Sequence, residues 1–332
     1  MSKVSLFSRF LLVCLALVLI SAGCATPVDS VVEAPVVEVP TTAPKTESPA
    51  AIVIAGPATP SSIPLLLAAE KMDNVSVQII QNASQANTLF LRGEINILVS
   101  GLSVGVDLRK SGAPVQVVNT YVTGLSHLVT YGGKVDSLSD LKGQEIYLPF
   151  EGSPIEEATI FLAQQEGLIW GTDLKPIYSP FDASVALLKE GKARAVVLPE
   201  PFVTLVEKES NLFISLDYFT SWNEVTGTQT GYPQVGAFVT SEWAQQHPEE
   251  LAAFNAALAE AIQFIQENPE EAVAKVKDNF KLPEAVLLRS IQRTHFSLLT
   301  GEELEEDITG YYELIGKPLD DDYSDFYYIP AQ

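Results

Sequence analysis

The sequence predicts an α/β protein built as two α/β units followed by a helical C-terminal region. Three observations carry this. From about residue 51 to 240, short apolar runs alternate with helical patterns. Proline or glycine marks most of the boundaries. From residue 248 to 314 the pattern is helical. Strands alternating with helices at this spacing imply βαβ units and a mostly parallel sheet.

In chain order, Ala51–Ala55 is the first strand, ended by Gly56-Pro57, and Ser61–Lys71 the first helix. Val75–Ile80 is a strand, Ser84–Arg92 a helix, Ile95–Ser100 a strand, Val104–Lys110 a helix and Val115–Tyr121 a strand. The middle continues with strands at Glu145–Leu148, Lys175–Tyr178, Arg194–Leu198 and Val235–Thr240. Helices at Pro154–Glu166, Ala183–Glu190 and Phe202–Lys208 lie between them. Helices then follow at Pro248–Glu267, Pro269–Asp278, Pro283–Arg293 and Glu302–Leu314. The acidic, aromatic tail from Pro318 to Tyr328 fits neither pattern, and no repeat of fixed period is present.

Ahead of this body, Lys3 and Arg9 precede an unbroken apolar run, Phe10–Ile20. That is the length of a secretory leader and short of the roughly 18 residues a membrane span needs. Ser21-Ala22-Gly23-Cys24 closes it and resembles a bacterial lipobox, which implies cleavage before Cys24 and a lipid on its sulfur. Residues 24–50 carry five prolines among Val, Ala, Thr and Glu, a composition for an extended tether of about 3.1 Å per residue. The only other cysteine, Cys14, lies in the leader. The body therefore has no internal disulfide, redox pair or thiolate zinc cluster. The net charge is −22, and loss of Lys3 and Arg9 with the leader makes it two more negative. Such a surface repels nucleic acid, which is excluded as a partner.

Several blocks resemble the periplasmic solute-binding proteins of the NMT1/SsuA-like group, which includes nitrate, sulfonate and thiamine-precursor binders. They are Asp140-Leu141-Lys142-Gly143 followed by Gly152-Ser153-Pro154, then Leu187–Ala195, Leu198–Thr204 and Gly236–Pro248. The resemblance covers about residues 51–328. It implies a two-lobe, type II binding-protein fold with two crossover strands, lobe 1 being 51–129 and 237–332 and lobe 2 the inserted 130–236. It also implies a lipid-anchored extracytoplasmic protein that captures a small molecule between the lobes and passes it to an ABC permease. No catalysis, cofactor or metal is implied. The chain carries Pro199-Glu200-Pro201 where nitrate and sulfonate binders have Trp-Asp-Pro, so a sulfonate-like anion and a pyrimidine or vitamin-precursor-like organic both stay open. The absence of Arg or Lys from the cleft loops favours a neutral or cationic ligand.

Ligands of open α/β sheets sit beyond the carboxyl ends of strands. The candidate contacts are Gly56, Pro57, Ala58, Thr59 and Ser61 after the first strand, and Ser100 and Gly101 after the third. Asn119, Thr120 and Tyr121 close the fourth, and Phe150, Glu151, Gly152 and Ser153 follow the first strand of lobe 2. Glu200, between two prolines at a strand end, either faces the cleft or caps the next helix. Ser153-Pro154-Ile155-Glu156 equally reads as a capping box that needs no ligand. Tyr232, like Tyr121 and Phe150, is a candidate stacking ring. The Asp320–Asp325 run lacks the glycine and glutamate of a calcium loop and reads as a solvated face.

Two rival readings exist. Gly101-Leu102-Ser103-Val104-Gly105 matches the G-x-S-x-G elbow of serine hydrolases between a strand and a helix, with His247 or His295 as the base. No His-Gly-Gly oxyanion loop precedes it, and both histidines fall among helices. The other is a tethered ligand sensor without a transport role.

Overall fold

The structure, a computed structural model, describes residues 51–330. The leader, Cys24 and the tether lie outside the described residues. Two sheets organise the chain. The first has strands β1 (Ile52–Pro57), β2 (Val75–Ile80), β3 (Ile97–Gly101), β4 (Val115–Gly124), β10 (Val235–Thr240) and β11 (His295–Leu299), in the spatial order β11-β4-β10-β3-β1-β2. The second has β5 (Ser126–Tyr131), β6 (Glu145–Leu148), β7 (Lys175–Tyr178), β8 (Ala195–Pro199) and β9 (Leu212–Asp217), in the order β7-β6-β8-β5-β9.

Each sheet has a parallel half made by βαβ crossovers: β2-β1-β3 in the first and β7-β6-β8 in the second. Each is completed by antiparallel strands: β10, β4 and β11 in the first, β5 and β9 in the second. Both sheets are therefore mixed, which corrects the expected mostly parallel sheet. Among the antiparallel additions, β4 and β5 carry the chain from the first sheet to the second, and β9 and β10 bring it back.

Helices α1 (Ser62–Ala69), α2 (Ala83–Leu91), α3 (Leu102–Lys110), α8 (Ser241–Gln246), α9 (Pro248–Glu267), α10 (Pro269–Val276), α11 (Glu284–Ile291) and α12 (Gly301–Leu314) belong with the first sheet. Helices α4 (Pro154–Gln165), α5 (Phe181–Lys189), α6 (Phe202–Val206) and α7 (Tyr218–Thr226) belong with the second. The sequence reading missed β5, β9, α7, α8 and β11. His295, expected among helices, starts β11 and pairs with Gly124 at the end of β4. The tail makes a single helical turn and then a parallel bridge from Tyr327 to Val117, continuing the edge of β4 beyond β11. There Phe326 is fully buried, so an aromatic pair anchors the end of an otherwise acidic segment.

Close approach explains two glycines. A Cβ on Gly105 would stand 2.0 Å from the Phe238 ring, so α3 lies flat on β10 only without a side chain there. Gly231 adopts φ +76°, a region open to glycine, with the Thr123 carbonyl 2.3 Å from where a Cβ would be.

The two crossovers run side by side at the boundary between sheets. The Gln234 side chain, buried, accepts from the Leu125 amide at 3.3 Å and donates to Ser126 Oγ at 2.6 Å. Its own amide donates to the Val122 carbonyl, and its carbonyl accepts from Leu102 at the start of α3. One glutamine thus ties both connections to the start of α3.

Candidate ligand cleft

The carboxyl ends of β1, β3, β6 and β8 lead into the loops the sequence singled out. Gly56 and Pro57 end β1. Gly56 is glycine because a Cβ would fall 2.4 Å from Ser62 Oγ, and that hydroxyl donates to the Pro57 carbonyl at 2.6 Å. Ala58 and Thr59 turn into α1. Thr59 Oγ1 and Ser61 Oγ are 2.7 Å apart, and Ser61 is fully buried. The amides of Ser62 and Ile63 donate to the carbonyls of Thr59 and Pro60, so the start of α1 is satisfied internally.

Ser100 and Gly101 end β3. Across the boundary from them Pro154 opens α4: a Cβ on Gly101 would be 2.9 Å from Pro154 Cγ. The two sheets' cleft-facing helix starts are therefore in contact. Phe150 and Glu151 are exposed, Gly152 takes φ +77°, and Ser153 is buried as the cap of α4, accepting from the Glu156 amide at 3.1 Å. Half of the expected capping box forms. Glu156 reaches back one residue further than expected, to the Gly152 amide, and also accepts from the Tyr178 hydroxyl.

Asn119, Thr120 and Tyr121 do not close β4 as expected. The strand continues to Gly124, which places them within it. Continuous burial from Val117 to Gly124 hides the strand's end from a pattern that stops at the first aromatic. Asn119 Nδ2 donates to Asn255 on α9 at 2.7 Å. Thr120 is fully buried, and its hydroxyl makes no hydrogen bond. The Tyr121 hydroxyl donates to the Ser61 carbonyl at 2.7 Å and so positions the β1–α1 loop. Burial holds that phenol well above its ordinary pKa.

Glu200 is fully buried. It accepts from the Thr204 amide at 3.2 Å, the capping role, and from the Arg293 guanidinium at 3.4 Å. Arg293 follows α11, beside the first sheet, and also bonds Thr204 Oγ1 at 3.0 Å and the Glu207 carboxylate. Burial pushes the Glu200 carboxyl up, while Arg293 pulls the other way.

Tyr232 is buried on the second crossover, with Trp222 at 4.9 Å between ring centroids and Tyr311 of α12 at 6.1 Å. Phe161 of α4 completes the row at 4.6 Å from Trp222. Beside it the buried Glu157 carboxylate accepts from Lys317 Nζ at 3.1 Å and the Tyr311 hydroxyl at 3.3 Å. Sequence reasoning missed Arg293, Glu157, Trp222, Tyr311 and Lys317. The one signal for Glu157 was its place four residues before Phe161, a charge on the apolar stripe of a helix.

Ser103 does not form a hydrolase site. It lies in the first turn of α3, buried, and its hydroxyl has no hydrogen-bond partner, so no base activates it. His295 instead stacks on Phe219 at 3.6 Å, and His247 is bonded to Glu250 at 3.2 Å. Among the described residues no group of His, Cys, Asp or Glu has the arrangement of a metal site, and no helix is long and apolar enough to cross a membrane. Within the tail, Asp325 pairs with Arg109.

Comparison with known proteins decides the family. The model of the family described as "NMT1/THI5 like" matches residues 59–272. The chain belongs to that family. No curated protein matches it. Its fold is that of the two-lobe periplasmic binding proteins. The aliphatic sulphonate binding protein SsuA from Escherichia coli superposes with a TM-score of 0.71 at 18% identity, over 86% of this chain and 94% of that one. An ABC transporter structure from Parabacteroides distasonis gives 0.67 at 19%, covering 85% and 96%. The alkanesulfonate-binding protein SsuA from Xanthomonas axonopodis pv. citri, bound to MOPS, gives 0.64 at 15%, covering 82% and 95%.

Proposed function

We propose that this NMT1/THI5-like protein is an extracytoplasmic solute-binding lipoprotein, which captures a small organic molecule between its lobes and delivers it to an ABC permease. The observation that carries the reading is the meeting of α3 and α4 at Gly101 and Pro154, beyond the carboxyl ends of two separate sheets joined by two crossovers. A hinge between such lobes converts binding into a change of surface that a permease can read. We set the lobe limits at the crossovers, between Gly124 and Ser126 and between Tyr232 and Val235, where Gln234 ties the chains together. The ligand contacts are drawn from the loops at 56–61, 100–101 and 150–153. Tyr121 and Glu200 act behind them by holding Ser61 and Arg293. Anchoring rests on Cys24 after Ser21-Ala22-Gly23.

The test is a thermal-shift screen of the chain against anions, sulfonates, amines, amino acids, pyrimidines and vitamins. A ligand specific for the folded state stabilises it by about 2.7 kcal/mol at a hundred times its dissociation constant. A shift confined to one chemical class supports capture. A shift from no class, with scattering profiles that never change, contradicts it.

A further inference from the structure

The solved relatives named for sulfonates frame a question of charge. A sulfonate needs N–H donors or cations that are not already committed. At this boundary several of them are committed. The first amides of α1 go to Thr59 and Pro60 carbonyls, and the first amide of α3 goes to the Gln234 carbonyl. At α4 the chain supplies its own anion, since the Gly152 amide and the Tyr178 hydroxyl both donate to Glu156. Arg293 is spent on Glu200 and Glu207, and Lys317 on Glu157. No Lys or Arg occurs in the loops 56–61, 100–103 or 150–153.

The opposite sign is well provided for. Glu157 is 6% exposed on α4 and faces α12 of the other lobe. Its carboxylate already holds a primary ammonium, that of Lys317, whose side chain is half exposed and sits just past the end of α12. Tyr311, whose hydroxyl donates to it, packs against Tyr232 and Trp222 with ring centroids at 6.1 and 5.5 Å, in a buried aromatic row beside the carboxylate. One polar atom nearby stands buried without a partner, the hydroxyl of Tyr312, whose ring lies 5.1 Å from that of Tyr311 on α12.

Resting on the cleft reading above, we infer that the cleft selects an organic amine or guanidinium cation and rejects sulfonates, with Glu157 as the residue that sets the sign and Lys317 as the internal cation a ligand displaces. Glu157 lies where the lobes close on each other, so the ligand's ammonium completes the closed form in place of the lysine. Lys317 then acts as a built-in competitor that sets a floor on the affinity a ligand must reach.

The experiment uses the full chain in mild detergent. Tryptophan fluorescence and calorimetry follow titration with tyramine, agmatine and cadaverine, and in parallel with ethanesulfonate and MOPS. The expected result is saturable binding of at least one amine and none of either sulfonate into the millimolar range. Glu157→Gln weakens the amine at least ~tenfold, the loss expected of one charge-assisted hydrogen bond. Lys317→Ala tightens it severalfold, which a purely structural ion pair would not do. Should Glu157→Gln fail to fold, Lys317→Ala carries the test alone. Sulfonate binding that is indifferent to both substitutions overturns the inference and leaves the solute-binding reading standing. Amine binding that Lys317→Ala weakens overturns the displacement by lysine. Silence of the chain toward both classes overturns the inference, and the thermal-shift screen then decides the cleft reading separately.

Discussion

Replacing Arg293 by alanine removes the cation that links the first sheet's helical region to α6. The guanidinium donates to Glu200 at 3.4 Å and to Thr204 at 3.0 Å, and also meets Glu207. Glu200 is fully buried, while the Arg293 and Glu207 side chains are 16% and 17% exposed. Breaking a fully buried pair costs roughly 3–5 kcal/mol. The partial exposure of two of the three members lowers this to about 2–3 kcal/mol at pH 8. For a body of this size that is a fall in Tm of about 3–5 °C. The pH dependence has a definite sign. Burial already raises the Glu200 carboxyl above its ordinary range, and loss of Arg293 raises it further. A raised carboxyl favours the fold at low pH, and that contribution is lost as pH rises through the folded value. The deficit of Arg293→Ala is therefore largest at pH 8 and shrinks toward pH 4.5. Urea unfolding of residues 48–332 followed by circular dichroism measures both. A variant within ~0.5 kcal/mol of wild type at pH 8, the range of an ordinary surface change, or a deficit that grows on acidification, refutes the reasoning.

Other outcomes follow from the same structure. Gly105→Ala, usually a gain of about 1 kcal/mol within a helix, costs about 1–3 kcal/mol here, because the new Cβ meets the Phe238 ring; thermal melting that rises instead contradicts the packing of α3 on β10. Tyr121→Phe loses its hydroxyl's bond to the Ser61 carbonyl and costs about 1 kcal/mol, a change readable as a shift of the urea midpoint at constant slope. His127, buried 3.7 Å from Asp217, is pushed down to about 4, chiefly by burial, with Asp217 opposing. Its depressed value means the unfolded chain takes the proton first, so stability contributed by neutral His127 drains away as pH falls from ~6.5 toward 4. His127→Gln flattens that part of the stability profile, and an imidazole that titrates near 6.5 by NMR contradicts the burial.

How much of this was legible in the sequence divides along physical lines. The βαβ half of each sheet was, because Ala51–Ala55 or Glu145–Leu148 is a short run stopped by Gly56-Pro57 or Pro149. The antiparallel half was not. β5 begins two residues after β4 ends, with no breaker other than Gly124, and β11 is five residues bounded by helices. Nothing local marks a strand whose first residue, His295, pairs with Gly124 far back in the chain. The candidate contacts divide in the same way. The loops at 56–59, 100–101 and 150–153 stood out because strand ends are local features. The groups that tie the lobes together did not, since Arg293 meets Glu200 and Lys317 meets Glu157 only through the return of the C-terminal helices. Tyr121 was noticed as a ring and turned out to act through its hydroxyl. Glu200 was read both as a cleft group and as a cap; the cap is present, with an arginine added.

The central claim is that two lobes close on a ligand about paired crossovers. Both cysteines of the sequence precede residue 25, so spin labels can be placed cleanly on the body at Glu94→Cys and Gln165→Cys, two exposed positions on opposite lobes. Pulsed electron–electron distance measurement on residues 48–332, without ligand and with the compound that gives the largest thermal shift, tests the claim most directly. The account predicts a broad or two-component distribution that narrows to its shorter component on saturation. A single distance, unchanged by a ligand that stabilises the fold, would contradict it.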